Sequence, residues 1–380
     1  MSAVTVNDFK GKYQYAVIGA GLSGLIIATK LSQQFEKVIL IDSRDLPGGL
    51  CHHLDSEHFM IPENENAQSA IDFLNQEFNC GISTSVIENK PQIFHDGKWR
   101  PFLGWGASAQ PPYYDEVLYY LSPNRFALES NPAQWVDQIF KNYNGEFLPR
   151  HFITQIVKEK ADPGERGITG IILNGGKKLK ADHYIYCGPI KLLDTLCSEE
   201  NILPPRIRQK IAKHKSWTSI SLTLFHKQPI FDSQEVLMLS SYEKKENEAH
   251  VFLGQFSKKT VDGNQSFYSQ WICFIDIEVS EDSEITGNLI RRMKRQIKKA
   301  FPTIFEATIK EKILVSPSSH GHLELKLKEN QTIPELPNLW LGSSQISPYA
   351  KNMVGSIQQA KMVLTGSSKK VLPTHEITIL

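Results

Sequence analysis

The 380-residue chain is long enough for two domains, and its composition, 41% hydrophobic and 22% charged, is typical of a soluble globular protein. Its net charge of +1 excludes an overall field that attracts nucleic acid or an anionic membrane, and its five cysteines, with no CxxC pair, favour a reducing compartment over a disulfide scaffold. Because no stretch approaches the roughly 20 apolar residues that span a bilayer, and the polar first residues lack a secretion signal, we expect a cytoplasmic protein with peripheral membrane contact at most.

Residues 15–42 have the order of a strand, a glycine loop, a helix and a second strand. An apolar run at 15–18 enters the loop GAGLSG, and an apolar helical pattern extends to Leu31. A second apolar run at 38–41 ends at Asp42. This order and spacing are those of the dinucleotide-binding βαβ unit, so they predict that the chain binds a nucleotide.

Each part of this motif has a physical role. We expect Gly19 to allow the sharp turn out of the strand, Gly21 to let a pyrophosphate approach the backbone, and Gly24 to let the helix pack closely on the strand. The N–H groups at the helix start attract phosphates, and the Asp42 carboxylate is placed to hold a ribose diol. The predicted contacts in this region are Gly19, Ala20, Gly21, Leu22, Ser23, Gly24, Asp42 and Ser43.

A second glycine pair, Gly48–Gly49, follows the acid closely. Glycines at this position could bring the backbone close to a phosphate or a ring system. They could equally form a plain Pro-Gly-Gly turn, and the spacing by itself favours neither interpretation.

Histidines and a cysteine cluster just after this pair, which raises the question of a metal site. Their spacing matches none of the usual zinc patterns, and no second group of ligands follows downstream. We therefore expect a loop or strand that carries histidines, and no bound metal. The residues are Cys51, His52, His53 and His58.

The middle of the chain alternates between helical and strand patterns. Apolar residues at helical spacing predict helices over 66–77, 131–143 and 283–300. An Asp-Gly turn between short apolar segments predicts a β-hairpin over 92–102, and the stretch 152–189 predicts a meander of strands. Further predictions are strands at 217–225 (with one wet face), 252–256, 267–279 and 313–316, and a polar surface loop at 232–250.

An aromatic cluster lies between the hairpin and the second helix. Its rings could line an apolar pocket or fill the core of a small second domain, and we favour the core. The candidate pocket aromatics are Tyr113, Tyr114, Tyr119 and Trp271. The sequence identifies no catalytic base.

A strand, a turn and a helix near the end of the chain complete the pattern. We predict the strand at 339–341, the turn at 342–344 and the helix at 353–364. Such an arrangement can bring a second helix dipole to a bound cofactor.

The chain resembles the FAD-dependent superfamily of flavin amine oxidases, protoporphyrinogen oxidase and carotenoid desaturases, with UDP-galactopyranose mutase as a more distant relation. The segments that carry the resemblance are VIGAGLSGL, VILID, DLPGGL, HFITQI, GITGIILNGGKKLKADHYIYCGP and PNLWLGSS…NMVGSIQQA. It implies an α/β fold, in which a Rossmann-like FAD-binding domain of the glutathione-reductase type carries an inserted α+β substrate domain on a mainly antiparallel sheet. It also implies non-covalent FAD.

The resemblance assigns further contacts. It implies that Gly48 and Gly49 lie near the pyrophosphate and the flavin, and that Ile153 touches the adenine through its backbone. Met353 and Val354 would present N–H groups to the pyrimidine edge of the flavin, where a helix N-terminus stabilises the reduced ring. The remaining implied contacts are Leu50, Cys187, Gly188 and Ser344.

Three positions depart from the superfamily's pattern. Leu50 stands where its Gly-Gly-Arg signature has arginine, and Ser344 stands where it has a flavin-binding acid. The closing helix reads GSIQQA, so it keeps the first glycine but not the alanine or the Ser-Gly pair. Serine can bind a ribityl hydroxyl without charge assistance, so we expect weaker or differently held flavin.

The resemblance implies an FAD-dependent oxidoreductase, an oxidase or a dehydrogenase/desaturase that passes hydride from a small organic substrate to flavin N5. One alternative is a non-redox role on the same scaffold, either a mutase-like flavoprotein isomerase or a degenerate member that binds a nucleotide for structure or regulation, and the two departures favour it. A second alternative is an NAD-dependent dehydrogenase, but that enzyme has no need for the closing strand and helix.

The expected domain organisation is discontinuous, with the active site between two domains. The FAD-binding domain takes 1–90, 145–195 and 335–367. The substrate domain takes 91–144 and 196–334, and residues 368–380 form a tail.

Overall fold

The structure, a computed structural model, describes residues 11–52, 61–105, 110–128, 130–158, 167–198, 202–233, 235–242, 249–261, 264–316, 320–348 and 352–368. Its helices are α1 (Leu22–Ser32), α2 (Glu65–Phe78), α3 (Tyr114–Tyr120), α4 (Pro132–Lys141), α5 (Ile190–Leu196), α6 (Pro205–Lys213), α7 (Ile277–Ser280), α8 (Ser283–Ala300), α9 (Ile304–Ala307) and α10 (Asn352–Ser368). Its strands are β1 (Tyr13–Ile18), β2 (Val38–Ile41), β3 (Ile61–Pro62), β4 (Thr84–Glu88), β5 (Gln92–His95), β6 (Lys98–Pro101), β7 (Asn124–Leu128), β8 (Glu146–Leu148), β9 (Ile153–Val157), β10 (Gly170–Leu173), β11 (Lys178–Leu179), β12 (Ala181–Tyr186), β13 (Trp217–His226), β14 (Leu237–Tyr242), β15 (Ala249–Val261), β16 (Asn264–Asp276), β17 (Thr308–Val315), β18 (Thr332–Ile333) and β19 (Leu336–Leu341). Within these residues, no helix has both the length and the apolar character needed to cross a lipid bilayer.

The first layer is a six-stranded, mainly parallel sheet in the order β18-β19-β12-β1-β2-β8. β1 pairs in parallel with β2 and β12, and β18 joins the edge antiparallel. All four residues of β2 are buried, because α1 packs on one face of the sheet and a core that includes β9, β10 and α5 lies on the other. α1 is buried along nearly its whole length and packs against α4 and α10. The predicted βαβ unit over 15–42 is confirmed.

The second layer is a seven-stranded sheet in the order β17-β13-β16-β15-β14-β5-β6, antiparallel except for the pair β14–β5. α8 packs on one face through an apolar row that includes Met293. On the other face, Tyr113 and Val117 join a second core with Trp217. The predicted wet face of β13 is therefore wrong, since nine of its ten residues are buried.

Three other strand predictions need correction. The predicted polar loop over 232–250 contains β14, and Leu237 is fully buried there. The strand predicted to reach 279 ends at Asp276, whose side chain accepts the Glu278 N–H and so starts α7. The predicted meander over 152–189 divides, because β9, β10 and β11 form their own antiparallel sheet while β12 enters the parallel sheet.

Several other element predictions are confirmed with small changes of boundary. The hairpin over 92–102 is formed by β5 and β6, which pair antiparallel. The structure contains the predicted helices as α2, α4, α8 and α10. The closing strand lies within β19, next to β12.

Two helices that the sequence assigned to the substrate domain pack with the parallel sheet. α4, within 91–144, contributes Trp135 to the core that contains Tyr15. α6, within 196–334, contributes Ile211 to the core on the sheet's other face. The apolar faces of both helices thus pack on the parallel sheet, which carries the glycine loop. The rest of the two-domain division stays a prediction.

Candidate cofactor and substrate cavity

The glycine loop between β1 and α1 has the geometry that the motif requires. Gly19 has φ of +97°, a conformation that side chains disfavour, and its N–H donates to Ile41 O at 2.8 Å. A Cβ on Gly24 would lie 1.8 Å from Gly19 O, so only glycine allows this contact between helix and loop. A Cβ on Gly21 would meet no protein atom within 4 Å. The loop therefore presents bare backbone at Gly21, in front of the start of α1.

The second glycine pair packs directly on the first loop. Gly48 donates its N–H to Ala20 O at 2.6 Å and forms a parallel bridge with Gly21. A Cβ on Gly49 would lie 3.2 Å from the Gly21 Cα. The two loops thus form one continuous surface of backbone, while the approach of Gly48 and Gly49 to a phosphate or a ring system stays a prediction.

Asp42 lies at the end of β2, and its carboxylate ties the loops together. One oxygen accepts the Ala20 N–H at 2.6 Å, and the other accepts the Arg44 N–H at 2.8 Å. A carboxylate oxygen has more than one lone pair, so these bonds leave capacity for a ligand hydroxyl. The role of Asp42 as the ribose partner stays a prediction.

A cavity of about 560 Å³ lies between the parallel sheet and the antiparallel sheet. Fourteen of the predicted contacts line it: Gly19, Gly21, Leu22, Ser23, Asp42, Ser43, Gly48, Gly49, Leu50, Ile153, Cys187, Gly188, Ser344 and Met353. Ala20, Gly24 and Val354 do not line it, because they pack beneath the loops or in the core under α10. Any contact of these three residues with a cofactor would therefore be made by backbone groups, or indirectly, by supporting the residues that line the cavity.

Two helices begin at this cavity. α1 starts directly after Gly21, and α10 starts at Asn352, which lines the cavity together with Met353. Free N–H groups and the partial positive charge of a helix N-terminus favour an electron-rich ligand. The bare backbone at Gly21 and the two helix starts fit a dinucleotide cofactor.

The end of β19 is joined to the rest of the site. Gly342 donates its N–H to Tyr186 O at 2.8 Å, so the ends of β19 and β12 lie side by side. Next to them, burial raises the pKa of the Cys187 thiol to about 12, while a hydrogen bond with Ser23 acts in the opposite direction. Cys187 is therefore a neutral part of the cavity wall.

One of the four candidate pocket aromatics lines the cavity, and the other three do not. Tyr119 lines the cavity. Trp271 is completely buried in the core under α8, and Tyr113 is buried, with its hydroxyl accepting the Val251 N–H at 3.0 Å. Tyr114 packs on Trp105 outside the lining. The prediction of core over pocket for the aromatic cluster holds for Tyr113; Trp271, a pocket candidate from outside the cluster, is also core.

The structure describes two members of the histidine and cysteine cluster, Cys51 and His52. Cys51 is buried and lines the cavity, while His52 hydrogen-bonds Pro47 O at 2.6 Å. His53 and His58 lie outside the described residues. Among the residues that the structure does describe, no three His, Cys, Asp or Glu side chains are grouped as metal ligands.

The antiparallel sheet contributes a polar wall that the sequence did not identify as part of the site. Ser219 and Ser221 of β13 line the cavity; Ser219 Oγ lies 2.6 Å from Ser316 Oγ, and Gln270 Nε2 donates to Ser221 Oγ at 2.9 Å. The alternation of serine with apolar residues in β13 was the available signal. It marks the face toward the cavity rather than a face toward bulk water.

Ionisable side chains also line the cavity. Arg125 lines the cavity with 1% of its surface exposed, and burial lowers its pKa to about 10. Burial, with the nearby Glu116 carboxylate as a smaller cause, raises the pKa values of Tyr119 and Tyr120. His320 lines the cavity as well. Neither Arg125 nor His320 belongs to a motif, so the sequence carried no signal for them.

Comparisons with known proteins agree with this geometry. A family profile described as an NAD(P)-binding Rossmann-like domain matches residues 17–65. Protoporphyrinogen oxidase of Nicotiana tabacum chloroplasts is 27% identical over 90 residues, which is 22% of this chain and 16% of that protein. The chain thus spans a small part of the length of this curated relative.

Solved structures match over nearly the whole chain. An oxidoreductase from Methanosarcina mazei has a TM-score of 0.63 at 13% identity, covering 93% of this chain and 100% of that one. Cyclohexylamine oxidase from Brevibacterium oxydans has a TM-score of 0.63 at 11% identity, covering 95% and 100%. At these identities the likeness concerns the fold. The chain therefore shares with these solved structures the fold of a Rossmann-like parallel sheet, which carries the matched dinucleotide-binding unit at 17–65, facing a mainly antiparallel second sheet.

Proposed function

We propose that this chain is an FAD-dependent oxidoreductase that binds FAD non-covalently and removes hydride from a small organic substrate. The observation that carries the proposal is one continuous cavity with two different ends. The two glycine loops and the end of β2 form one end, and the polar face of the antiparallel sheet forms the other. A nucleotide site that opens into a second chamber suits a cofactor whose reactive ring faces a substrate.

In this proposal, different residues bind different parts of FAD. Gly21, Gly49 and the start of α1 would hold the pyrophosphate, and Asp42 the adenine-side ribose. The start of α10, with Met353, would face the flavin, and Ser344 would hydrogen-bond its side chain. When bound, FAD supplies a two-electron acceptor. The protein's own contribution is to orient the substrate, exclude water and move a proton.

The names of matched structures support the redox part of the proposal. One match is an oxidoreductase, and others are cyclohexylamine oxidase and putrescine oxidase bound to putrescine. The departures at Leu50 and Ser344 favour the second candidate, a non-redox flavoprotein, because they remove two charged groups that the superfamily places near the cofactor. The oxidoreductase and the mutase-like flavoprotein both require FAD, and they differ in whether a substrate reduces it.

The first experiment measures FAD binding. We expect the purified protein to show flavin absorbance bands, or the apoprotein to take up FAD with one-to-one stoichiometry in a calorimetric titration. Gly21→Ala would place a methyl group in the bare cradle and weaken FAD binding by about tenfold or more, a loss of ~1.4 kcal/mol or more. The control, Gly287→Ala, adds a methyl group on α8, with Arg291 as its nearest neighbour at 3.8 Å, and should leave FAD affinity unchanged. Saturable NADH binding without FAD uptake would contradict the proposal.

The second experiment separates the two candidates. The FAD-loaded protein is mixed without oxygen with a panel of primary amines, alcohols and alkenes, and the flavin absorbance is followed. Bleaching by one compound supports the oxidoreductase. An oxidised flavin throughout the panel, in a protein that isomerises a substrate after chemical reduction, supports the non-redox candidate.

A further inference from the structure

His320 is a buried imidazole on the substrate side of the cavity. Its Nδ1 lies 3.4 Å from Oε2 of Glu116, and the two side chains are 8% and 2% exposed. The other carboxylate oxygen of Glu116 accepts the Gly321 N–H at 3.0 Å, which fixes the carboxylate. Because Nδ1 faces Glu116, Nε2 is the ring nitrogen left to accept a proton.

The imidazole is held in place from several sides. The Phe274 ring meets it edge to face, with centroids 5.0 Å apart. Its backbone forms a β-bridge with Trp217, and its carbonyl accepts a bond of 3.1 Å from Gln345 Nε2. Gln345 directly follows Ser344, a lining residue at the end of β19. His320 therefore lies where the parallel-sheet wall of the cavity meets the antiparallel sheet.

Other titratable groups that line the cavity are less suited to accept a proton from a substrate. Asp42 lies at the nucleotide end of the cavity, where its carboxylate ties the glycine loop to the end of β2. Burial raises the pKa values of Cys51 and Cys187 to about 12. His151 directs Nδ1 at Pro149 O, beside the end of β2. An imidazole backed by a buried carboxylate is the usual arrangement of a general base.

We propose that His320 is the proton acceptor of the active site and that Glu116 positions it. This inference rests on the proposed function and specifies its substrate class: a small molecule with an amine or hydroxyl group on the carbon that is oxidised. Nε2 forms a new N–H bond as the substrate N–H or O–H bond breaks, and the electron pair of that bond stays on the substrate heteroatom. The Glu116 carboxylate stabilises the imidazolium that results.

Chemical labelling tests whether Nε2 is open to the cavity. His214 is a matched control, because it is also 8% exposed but does not line the cavity. The intact protein is treated with diethyl pyrocarbonate at neutral pH, and the modified peptides are quantified by mass spectrometry. We expect His320 to be modified faster than His214, because the reagent can reach a residue that lines the cavity. Equal rates at the two residues would overturn the proposal.

Variants test the role in proton transfer. The probe is the amine or alcohol that reduces the wild-type flavin fastest, and the rate is measured in single turnover without oxygen. We expect His320→Ala and His320→Gln to slow reduction by about 100-fold or more while the Kd of the probe changes little, and imidazole in the buffer to restore part of the His320→Ala rate. Glu116→Gln should slow reduction less and gain nothing from imidazole. His214→Gln should react as the wild type does.

The outcomes distinguish this inference from the proposed function. FAD content and the midpoint of urea unfolding show that each variant is folded and loaded. His320→Ala that reduces its flavin at the wild-type rate would overturn the inference and leave the oxidoreductase proposal intact. Failure of every probe to reduce the wild-type flavin would count against the oxidoreductase, while the labelling experiment would still report on His320.

Discussion

The hydroxyl of Ser23 donates a hydrogen bond of 2.6 Å to the carbonyl oxygen of Gly342, although 319 positions separate the two residues. The bond joins the first turn of α1 to the end of β19, so the glycine loop and the closing turn form one wall of the cavity. Both residues lie against Cys187, whose Sγ would be 2.6 Å from a Cβ on Gly342. The ends of three elements are thus packed together at the candidate FAD site.

Removing this bond should weaken both the fold and the site. Ser23→Ala leaves a buried carbonyl without its donor, and we expect the free energy of unfolding to fall by about 1–2 kcal/mol in urea titrations. FAD affinity should fall as well, because the closing turn loses its tie to α1. Ser198→Ala is the control, since the Ser198 hydroxyl makes only a local, exposed bond to Thr195 O. Equal effects of the two substitutions would contradict this account.

The glycines of the loop should respond differently to a single methyl group. Gly24→Ala places Cβ 1.8 Å from a backbone oxygen, and we expect a loss of about 2–3 kcal/mol or more of unfolding free energy. Gly21→Ala meets no protein atom, so the apoprotein should keep its stability while losing FAD affinity. Urea unfolding of both apoproteins, followed by FAD titration, measures the two effects. A Gly24→Ala protein as stable as Gly21→Ala would refute the close approach of α1 to the loop.

Asp42 should matter to the apoprotein as well as to the cofactor. Its carboxylate accepts N–H groups from Ala20 and Arg44, so Asp42→Ala removes two charge-assisted bonds. We expect a loss of about 2–3 kcal/mol of unfolding free energy before any FAD is added. Asp42→Asn keeps one acceptor oxygen and should lose less. If Asp42→Ala lowers FAD affinity alone, the structural role of the carboxylate is wrong.

His226 should make the fold sensitive to mild acid. Burial lowers its pKa to about 4 from an ordinary value of 6.5, and its Nε2 lies 3.0 Å from Ser269 Oγ. Between pH 6.5 and pH 4 the unfolded chain binds a proton that the folded chain does not, so stability falls as the pH falls through this range, by up to about 3 kcal/mol.

The measurement is urea unfolding at several pH values between 4 and 7. His226→Gln should flatten the dependence, because it removes the group that titrates in the unfolded state. His95→Gln, which changes an exposed histidine, should leave the slope as it is in the wild type. An unchanged slope in His226→Gln would show that other groups cause the acid sensitivity. Burial also lowers the pKa of His214 to about 4. His214 therefore adds its own loss of stability in acid to the wild type and to His226→Gln alike.

Local patterns in the sequence were sufficient for the glycine loop, the first βαβ unit and the closing strand and helix. Each of these depends on residues close together in the chain, such as Gly19 and Gly24, whose conformation and packing are set by a single turn. The same periodicity located α8 at its observed boundaries. Fourteen predicted contacts line the cavity: those of the glycine loop come from the local motif, and others, such as Ile153 and Ser344, come from the family resemblance.

Alternation in β13 also appeared in the sequence, but its meaning depended on what covers each face. Alternation reports that two faces differ, and it does not report whether the polar one meets water or a cavity. Ser219 and Ser221 were therefore assigned to solvent, although they line the site. The same limit applies to α4. Its apolar stripe can be read from the sequence, but the sequence does not show that this stripe packs against α1.

By itself, the sequence determined that the chain has a nucleotide-binding loop, an acid at the end of the second strand and a late helix that can face a cofactor. Only the tertiary structure decided that the second glycine pair packs on the first, that Trp271 is core, and that Glu116 and His320 meet at the cavity. The physical reason is the range of the interactions. Backbone turns and helix starts are encoded by neighbouring residues, whereas a buried carboxylate and imidazole from distant segments come together only when two sheets close around a shared space.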